Sequence, residues 1–376
     1  MGDVHIQSLT RRGTDLRRFI GVSHAIYRDD PYWVAPLRFD FEKMFSEANP
    51  LFEHAEMELW VAQKDGRDVG RIAGIVDRHF NEFHQDRAAF FGFFECVNDH
   101  AVSRQLFTIV CDWARGKGLR HILGPLNPTT NEECGLLVEG FDSSPVFMMT
   151  YNPPYYADLV ADAGFVKGKN LLAFTIDLAN TPMERFERIA AKLNRRAPEV
   201  SVVRVTRRNL ASALAEVKEI YNEAWKNNWG FVPMTGDEIS FLASRLKPLL
   251  TEGLAYLARN AHEPAGFLLA MPDFNLAIKP LKGRLLTPQL LGALPYLLGW
   301  KVPNSCRILT LGVKEKYQGR GIETAMLAEG LRAGFKLGIR TVEASWILED
   351  NVGVQRLIAL FGGKPYKTYR IYDRPL

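Results

Sequence analysis

Two stretches of the chain carry the same pattern of alternating apolar and polar residues on either side of a tight polar turn. Residues 59–77 read LWVAQKDGRDVGRIAGIVD and residues 255–273 read AYLARNAHEPAGFLLAMPD. Ala62, Gly70 and Asp77 recur as Ala258, Gly266 and Asp273 at the same spacing, each 196 residues on. Period-two alternation broken by a polar turn predicts a β-hairpin. Flanking matches keep the order. Ile26-Tyr27 answers Ile220-Tyr221, and Asn152 with Gly164 answers Asn351 with Gly363. The offsets drift only between 194 and 199, so duplication of one unit explains the chain better than coincidence.

The remaining periodicities fill in the unit. In the first half they predict helices over 15–28, 103–117 and 154–163, with strands over 90–96 and 121–124. In the second they predict strands over 200–205, 308–313 and 341–347 and a helix over 323–337. Residues 182–197 are helical in pattern and bridge the halves. Strands alternating with helices predict an α/β fold, a mixed sheet with helices on both faces. The expected organisation is a first unit over 1–180, a helical linker over 181–197 and a second unit over 198–376.

Composition narrows the class. Hydrophobic residues make up 47% and charged residues 24% of 376, as in ordinary globular proteins, and the net charge of +4 is compatible with an anionic ligand. Cys96, Cys111, Cys134 and Cys306 form no metal-ligand spacing and read as reduced thiols, so no metal is expected. The N-terminus lacks a signal-peptide layout, and the expectation is a cytoplasmic protein. The uncharged run over 285–300 contains Pro288 and Pro295 and falls short of the roughly 20 residues that span a bilayer. Such an apolar insertion packs into the core, covers a hydrophobic channel, or lies against the inner membrane face as a peripheral contact.

The chemistry concentrates in ILTLGVKEKYQGRGIETAMLAEG, residues 308–330. An apolar strand runs into a basic turn, then Gln318-Gly319-Arg320-Gly321-Ile322, then a helix. Two glycines let the backbone aim several N–H groups at one point in front of the helix N-terminus, where the macrodipole favours anions. A pyrophosphate suits several converging donors, with Arg320 and Lys314 or Lys316 adding charge. A plain strand–helix turn is the competing reading, since the motif is neither a Rossmann fingerprint nor a P-loop.

This segment, followed by EDNVGVQRLIALFGG, resembles the acyl-CoA-binding core of the GNAT superfamily of N-acyltransferases. The resemblance covers residues 200–376 by motif and the first half through the duplication, which implies two tandem GNAT-like units. It implies acetyl-CoA or a longer acyl-CoA as co-substrate. Gln318, Gly319, Arg320, Gly321, Ile322 and Thr324 would hold the pyrophosphate. Leu311 and Val313 would pair with the pantetheine arm, with Asn351 beside it. Two departures stand out: Glu323 occupies a position where the family has Gly or Ala, and the tyrosine that many members use as acid is replaced by Ile358. The first half reads Val97-Asn98-Asp99-His100 where the loop should be, without a glycine, and is expected to hold no CoA.

Transfer to an amine needs a base, because an ammonium has no lone pair. Glu343, Asp273 and Glu349 are the candidates. Each has a plainer role open to it: a solvated strand residue, a turn former before Asn275, and a helix N-terminal charge. The long polar loop after residue 124 offers Asn131, Glu132 and Glu133 to an acceptor site, or is ordinary surface. The two-unit layout is similar to GNAT-like proteins that include bacterial ceramide synthases, which makes a small-molecule or lipid amine the expected acceptor. An aminoacyl-tRNA-dependent transferase of the peptidoglycan-bridge type and a non-catalytic CoA-binding protein are the alternatives. Residues 195–208 are basic but carry no interleaved aromatics, so no nucleic-acid partner is expected.

Overall fold

The computed structural model describes residues 3–376, the side chain of Asn194 excepted. They form two compact units. Unit 1 runs to Leu171 and takes in Leu281–Leu285 and Lys367–Leu376; unit 2 comprises Leu172–Pro280 and Leu286–Tyr366. The last ten residues therefore complete unit 1, not the unit that precedes them in sequence.

Unit 1 begins with β1 (Val4–Leu9), α1 (Gly13–Ile26), α2 (Arg38–Phe45), β2 (Ala55–Lys64) and β3 (Arg67–Asp77). Next come α3 (Arg78–His84), β4 (Ala88–Cys96), α4 (His100–Gly116) and β5 (His121–Gly124). The short strands β6 (Leu126–Asn127), β7 (Glu133–Cys134) and β8 (Leu136–Glu139) precede α5 (Tyr156–Asp162). β1 to β4 are antiparallel neighbours in order, and β4 pairs β5 in parallel. β4 is apolar but for Glu95 (AAFFGFFEC) because both of its faces are covered. α4 starts three residues before the predicted helix because Asp99 caps it, accepting the Ala101 N–H at 2.9 Å. Its apolar stripe, including Leu106, Phe107 and Val110, packs on Phe91, Phe94 and Phe165.

β9 (Val166–Asp177) is followed in unit 2 by α6 (Met183–Arg196), β10 (Val200–Arg204), α7 (Leu210–Ala224) and α8 (Gly236–Leu246). Then come β11 (Ala255–Asn260), β12 (Glu263–Pro272), α9 (Asn275–Ile278), α10 (Leu290–Leu297) and β13 (Ser305–Val313). α11 (Ile322–Lys336), β14 (Thr341–Leu348), α12 (Val352–Leu360) and β15 (Lys364–Pro375) complete the chain. β10 to β13 repeat the antiparallel order, and β13 pairs β14 in parallel. One sheet face is covered by α6, α11 and α12, with Phe186 stacked on Phe361 at 3.6 Å. The other is covered by α7 through Ala213 and Ile220 over Leu257 and Phe267. The α/β class, with a mixed sheet and helices on both faces, is the architecture observed.

The apolar insertion between β12 and β13 does not disappear into the core. Ala293 is buried, but Leu286, Leu291, Leu298 and Trp300 are exposed.

Candidate functional site

The site in unit 2 begins with a fork. The parallel ladder of β13 with β14 runs from Ser305 opposite Thr341 to Ile308 opposite Ala344 and stops. β13 continues to Val313 and β14 to Leu348. At the fork Leu269 pairs with Thr310 and Ala270 with Ile308, so Leu309 is an extra residue, a β-bulge. A bulge bends its strand and ends pairing. The strand edge it turns away from β14 carries backbone donors and acceptors that suit an extended, amide-bearing ligand. Leu311 lies opposite Leu268, and Val313 opposite Gly266, on this edge. Trp225 roofs the strand: a Cβ on Gly312 would fall 2.2 Å from its ring, which stacks on Tyr221 at 5.0 Å.

β13 leads to the glycine loop. Gly319 (φ 71°) and Gly321 (φ 93°) both adopt backbone conformations that L side chains rarely reach. Space is not the constraint, since a Cβ on Gly319 meets nothing within 4 Å and one on Gly321 only Ile189 Cγ2 at 3.8 Å. Gly321 is the N-cap of α11 and brings no side chain to the first-turn N–H groups, although that of Glu323 faces the Glu323 carboxylate. Ile322 is fully buried, so only its backbone serves the loop, while Thr324 is half-buried in the first turn.

The charges around the loop differ from expectation. Gln318 turns back, its Nε2 donating to the Val313 carbonyl at 3.0 Å, and so braces the loop against β13. Lys314 is buried and ion-paired to Glu219, with Glu223 and Glu263 each 3.6 Å away. Burial opposes its charge, but the Glu219 hydrogen bond and the neighbouring carboxylates outweigh that and raise its pKa. Lys316 pairs with Glu263, which also accepts from Tyr317 Oη at 2.7 Å. The Lys316 and Tyr317 hydrogen bonds hold the Glu263 carboxyl down at about 2. Lys314 is thus a structural clamp on the loop, because a buried ammonium requires a counter-charge, whereas Lys316 makes its ion pair at the surface. Arg320 is exposed, its guanidinium 5.4 Å from the Tyr317 ring centroid. Glu323 is half-buried: burial pushes its carboxyl up, and the N–H groups of Glu323 and Gly319 partly offset this. Its carboxylate therefore faces a donor that the loop would offer an anion.

At the base of the fork lies a buried polar chain. Arg307 Nε donates to Ser345 Oγ at 2.9 Å, Ser345 Oγ donates to Glu343 Oε1 at 2.5 Å, and Tyr366 Oη donates to Glu343 Oε2. Arg307 stands opposite Glu343 in the ladder, two residues before the bulge. The alternate residues Cys306, Val342 and Ala344 belong to the core under α11, so this chain lies on the other face of the sheet. Glu343 is not a solvated strand residue. A Glu and a Ser two apart in an apolar strand hinted at such a face, but nothing in the sequence singled out Tyr366.

The other candidates fall elsewhere. Asp273 is buried at the opposite end of β13, where it accepts from the Asn275 N–H at 3.2 Å and Ser305 Oγ at 3.4 Å. Ser305 and Val313 are the two ends of a strand of 9 residues, roughly 25 Å apart, so Asp273 is a turn former remote from the loop. Glu349 lies in the turn after β14, where its carbonyl accepts from Gln355 Nε2 at 2.9 Å. Asn351 opens α12 as its N-cap, accepting the Val354 N–H at 3.2 Å. Ile358 is core, tight against Gly363. Among the described residues, no group of three His, Cys, Asp or Glu is placed to hold a metal ion.

Unit 1 carries the same fork, but closed. β4 and β5 pair only from Ala88 opposite His121 to Phe90 opposite Leu123, and β4 bulges near Phe93. A Cβ on Gly92 would lie 1.9 Å from the Leu126 carbonyl oxygen, so residues after β5 lie directly on the strand. Asn127 Oδ1 accepts the Phe93 N–H at 2.6 Å. Cys96 faces Gly70 as Val313 faces Gly266. Its N–H donates to Tyr156 Oη and its carbonyl accepts from Tyr155 Oη, both at 2.9 Å. Asp99 caps α4 and pairs with Lys64 at 2.7 Å. The donors left for a ligand in unit 2 are consumed internally here. The loop carrying Asn131, Glu132 and Glu133 belongs to this closure, its β6–β7 hairpin pairing Asn127 with Glu133.

Comparison with known proteins agrees with this geometry. Residues 214–362 match the model of the acetyltransferase (GNAT) family. The chain is 35% identical over 369 residues to a bacterial ceramide synthase of Caulobacter vibrioides, covering 96% of this chain and 95% of that one. It is 32% identical over 369 residues to protein YghO of Escherichia coli, covering 96% and 93%. Among solved structures, a tandem GNAT protein from the clavulanic acid biosynthesis pathway superposes with a TM-score of 0.59 at 13% identity, over 99% of this chain and 98% of that one. A GCN5-related N-acetyltransferase from Sphaerobacter thermophilus gives 0.53 at 13% identity, over 98% and 95%. The chain belongs to the GNAT acetyltransferase family and has the architecture of its tandem members.

Proposed function

We propose that the protein transfers a long-chain acyl group from acyl-CoA to the amine of a lipid such as a sphingoid base. The observation that carries the donor is the contrast between the units: one fork and glycine loop are open, while the duplicate has filled each equivalent position with its own side chains. The relative named as a bacterial ceramide synthase supports the acceptor class.

In this reading the pyrophosphate rests on the N–H groups of residues 319–322, and the pantetheine arm lies along Leu311 to Val313. The thioester then reaches the bulge at Leu309, where a backbone N–H polarises its carbonyl. The neutral amine attacks that carbon, the C–N bond forms, and the C–S bond breaks. Glu343, oriented by Ser345 and Tyr366, receives the proton lost by the amine, and the same proton is passed on to the departing thiolate, so that amine and thioester become amide and free thiol and Glu343 is again a carboxylate. Trp225 and Tyr221 provide apolar walls beside the strand.

Incubation with palmitoyl-CoA and a sphingoid amine, with the amide product read by mass spectrometry, tests this directly. Product from acetyl-CoA and small amines alone would replace the lipid reading. Inertness toward every acyl-CoA, with binding of tRNA, would support the aminoacyl-tRNA reading instead.

A further inference from the structure

We infer that residues 286–301 of unit 2 dock onto an anionic membrane surface. Four large apolar side chains within this stretch face solvent: Leu286 is 97% exposed, Leu291 75%, Leu298 52% and Trp300 77%. Of the four, Leu291 lies on α10, which the buried Ala293 anchors; Leu298 and Trp300 follow the helix's last residue, and Leu286 precedes its first. Single exposed leucines need no explanation, but folded proteins rarely display several large ones on one short segment unless something covers them.

Charge identifies the cover. From residue 274 to residue 304 the chain contains Lys279, Lys282, Arg284 and Lys301 and not one Asp or Glu. A second copy of the chain would bring the same cations together with no carboxylate from this segment to relieve them. A bilayer containing anionic phospholipid offers what the segment lacks, a negative surface above an apolar interior. Trp300 beside Lys301 suits that boundary, where an indole sits at headgroup level. Among the described residues no helix is long and apolar enough to cross a membrane, so the contact is a surface one. This inference does not depend on the acceptor being a lipid, and its test does not measure catalysis.

The full chain is mixed with vesicles of phosphatidylcholine, or of phosphatidylcholine and phosphatidylglycerol, and floated on a density gradient. The protein floats with the anionic vesicles and far less with the neutral ones. Leu291→Ser/Trp300→Ser abolishes flotation while the circular dichroism spectrum is unchanged, as expected for exposed positions. Lys301→Gln weakens anionic binding about fivefold. Three results would each overturn the inference: no flotation with either vesicle, flotation indifferent to the double substitution, or a light-scattering dimer that the double substitution dissolves.

Discussion

Asn127 Oδ1 accepts the backbone N–H of Phe93 at 2.6 Å, at the bulge of β4. In unit 2 the bulge falls at Leu309, beside the open fork. A duplicated fold has thus used one copy of its strand fork to secure itself and left the other open. Asn127→Ala leaves the Phe93 N–H without its acceptor and is predicted to destabilise the protein by about 1–3 kcal/mol. Urea unfolding measures this, and acyl-transfer kcat should stay at the parent value. A loss of activity at full stability would mean that the closed fork takes part in the chemistry.

Gly321 tests the loop by conformation and by space. Gly321→Ala forces a φ of 93° on an L residue and costs about 1–2 kcal/mol. Gly321→Trp adds bulk in front of the first-turn N–H groups and should abolish acyl-CoA binding, while circular dichroism shows a folded protein. Unchanged affinity in the Trp variant would contradict the assignment of the loop.

Glu323 places a carboxylate at the loop proposed to hold the pyrophosphate. Glu323→Ala should tighten acyl-CoA binding roughly fivefold by removing like charge. Because burial raises the Glu323 pKa, lowering the pH toward that value neutralises the group and should strengthen binding in the parent protein. The alanine variant should lack that pH dependence. Calorimetry at several pH values distinguishes the two.

Glu343→Gln removes the proposed proton acceptor while keeping the side-chain shape, and kcat is predicted to fall about 100-fold or more with little change in KM for acyl-CoA. Tyr366→Phe keeps the carboxylate but loses the hydrogen bond that orients it, so its effect should be smaller and fall on the same parameter. Steady-state kinetics with each variant provides the test. A change in KM alone would make the pair a binding element.

His121 should make stability depend on pH. Its ring nitrogens lie 2.9 Å from Asp373 and from Asp86. Burial opposes the imidazolium, but the two carboxylates outweigh it and raise the pKa above 6.5. A raised folded pKa means that folding takes up a proton. The stabilisation is complete below about pH 6.5 and disappears as pH rises through the folded value. His121→Gln should flatten that slope in thermal melts.

How far the sequence reveals this differs by feature. The glycine loop, the strands beside it and the duplication were all readable, because they depend on local spacing and on alternation that burial enforces. Asn127 was not, since its partner Phe93 lies 34 residues away and the contact depends on how a loop lies on Gly92. Lys314 misled for a related reason: next to a glycine loop a lysine suggests phosphate, but three carboxylates from α7 and β12 claim it. Tyr366 sits in a polar strand whose register no local pattern announces. The apolar run over 285–300 was visible, but its exposure follows from how little of it the unit covers.

The most direct test of the central claim is a calorimetric titration of the full chain with palmitoyl-CoA below its micelle concentration. The open fork in unit 2 and the closed one in unit 1 predict saturable binding of one molecule per chain, lost in Gly321→Trp. Two molecules per chain, or none, would contradict it.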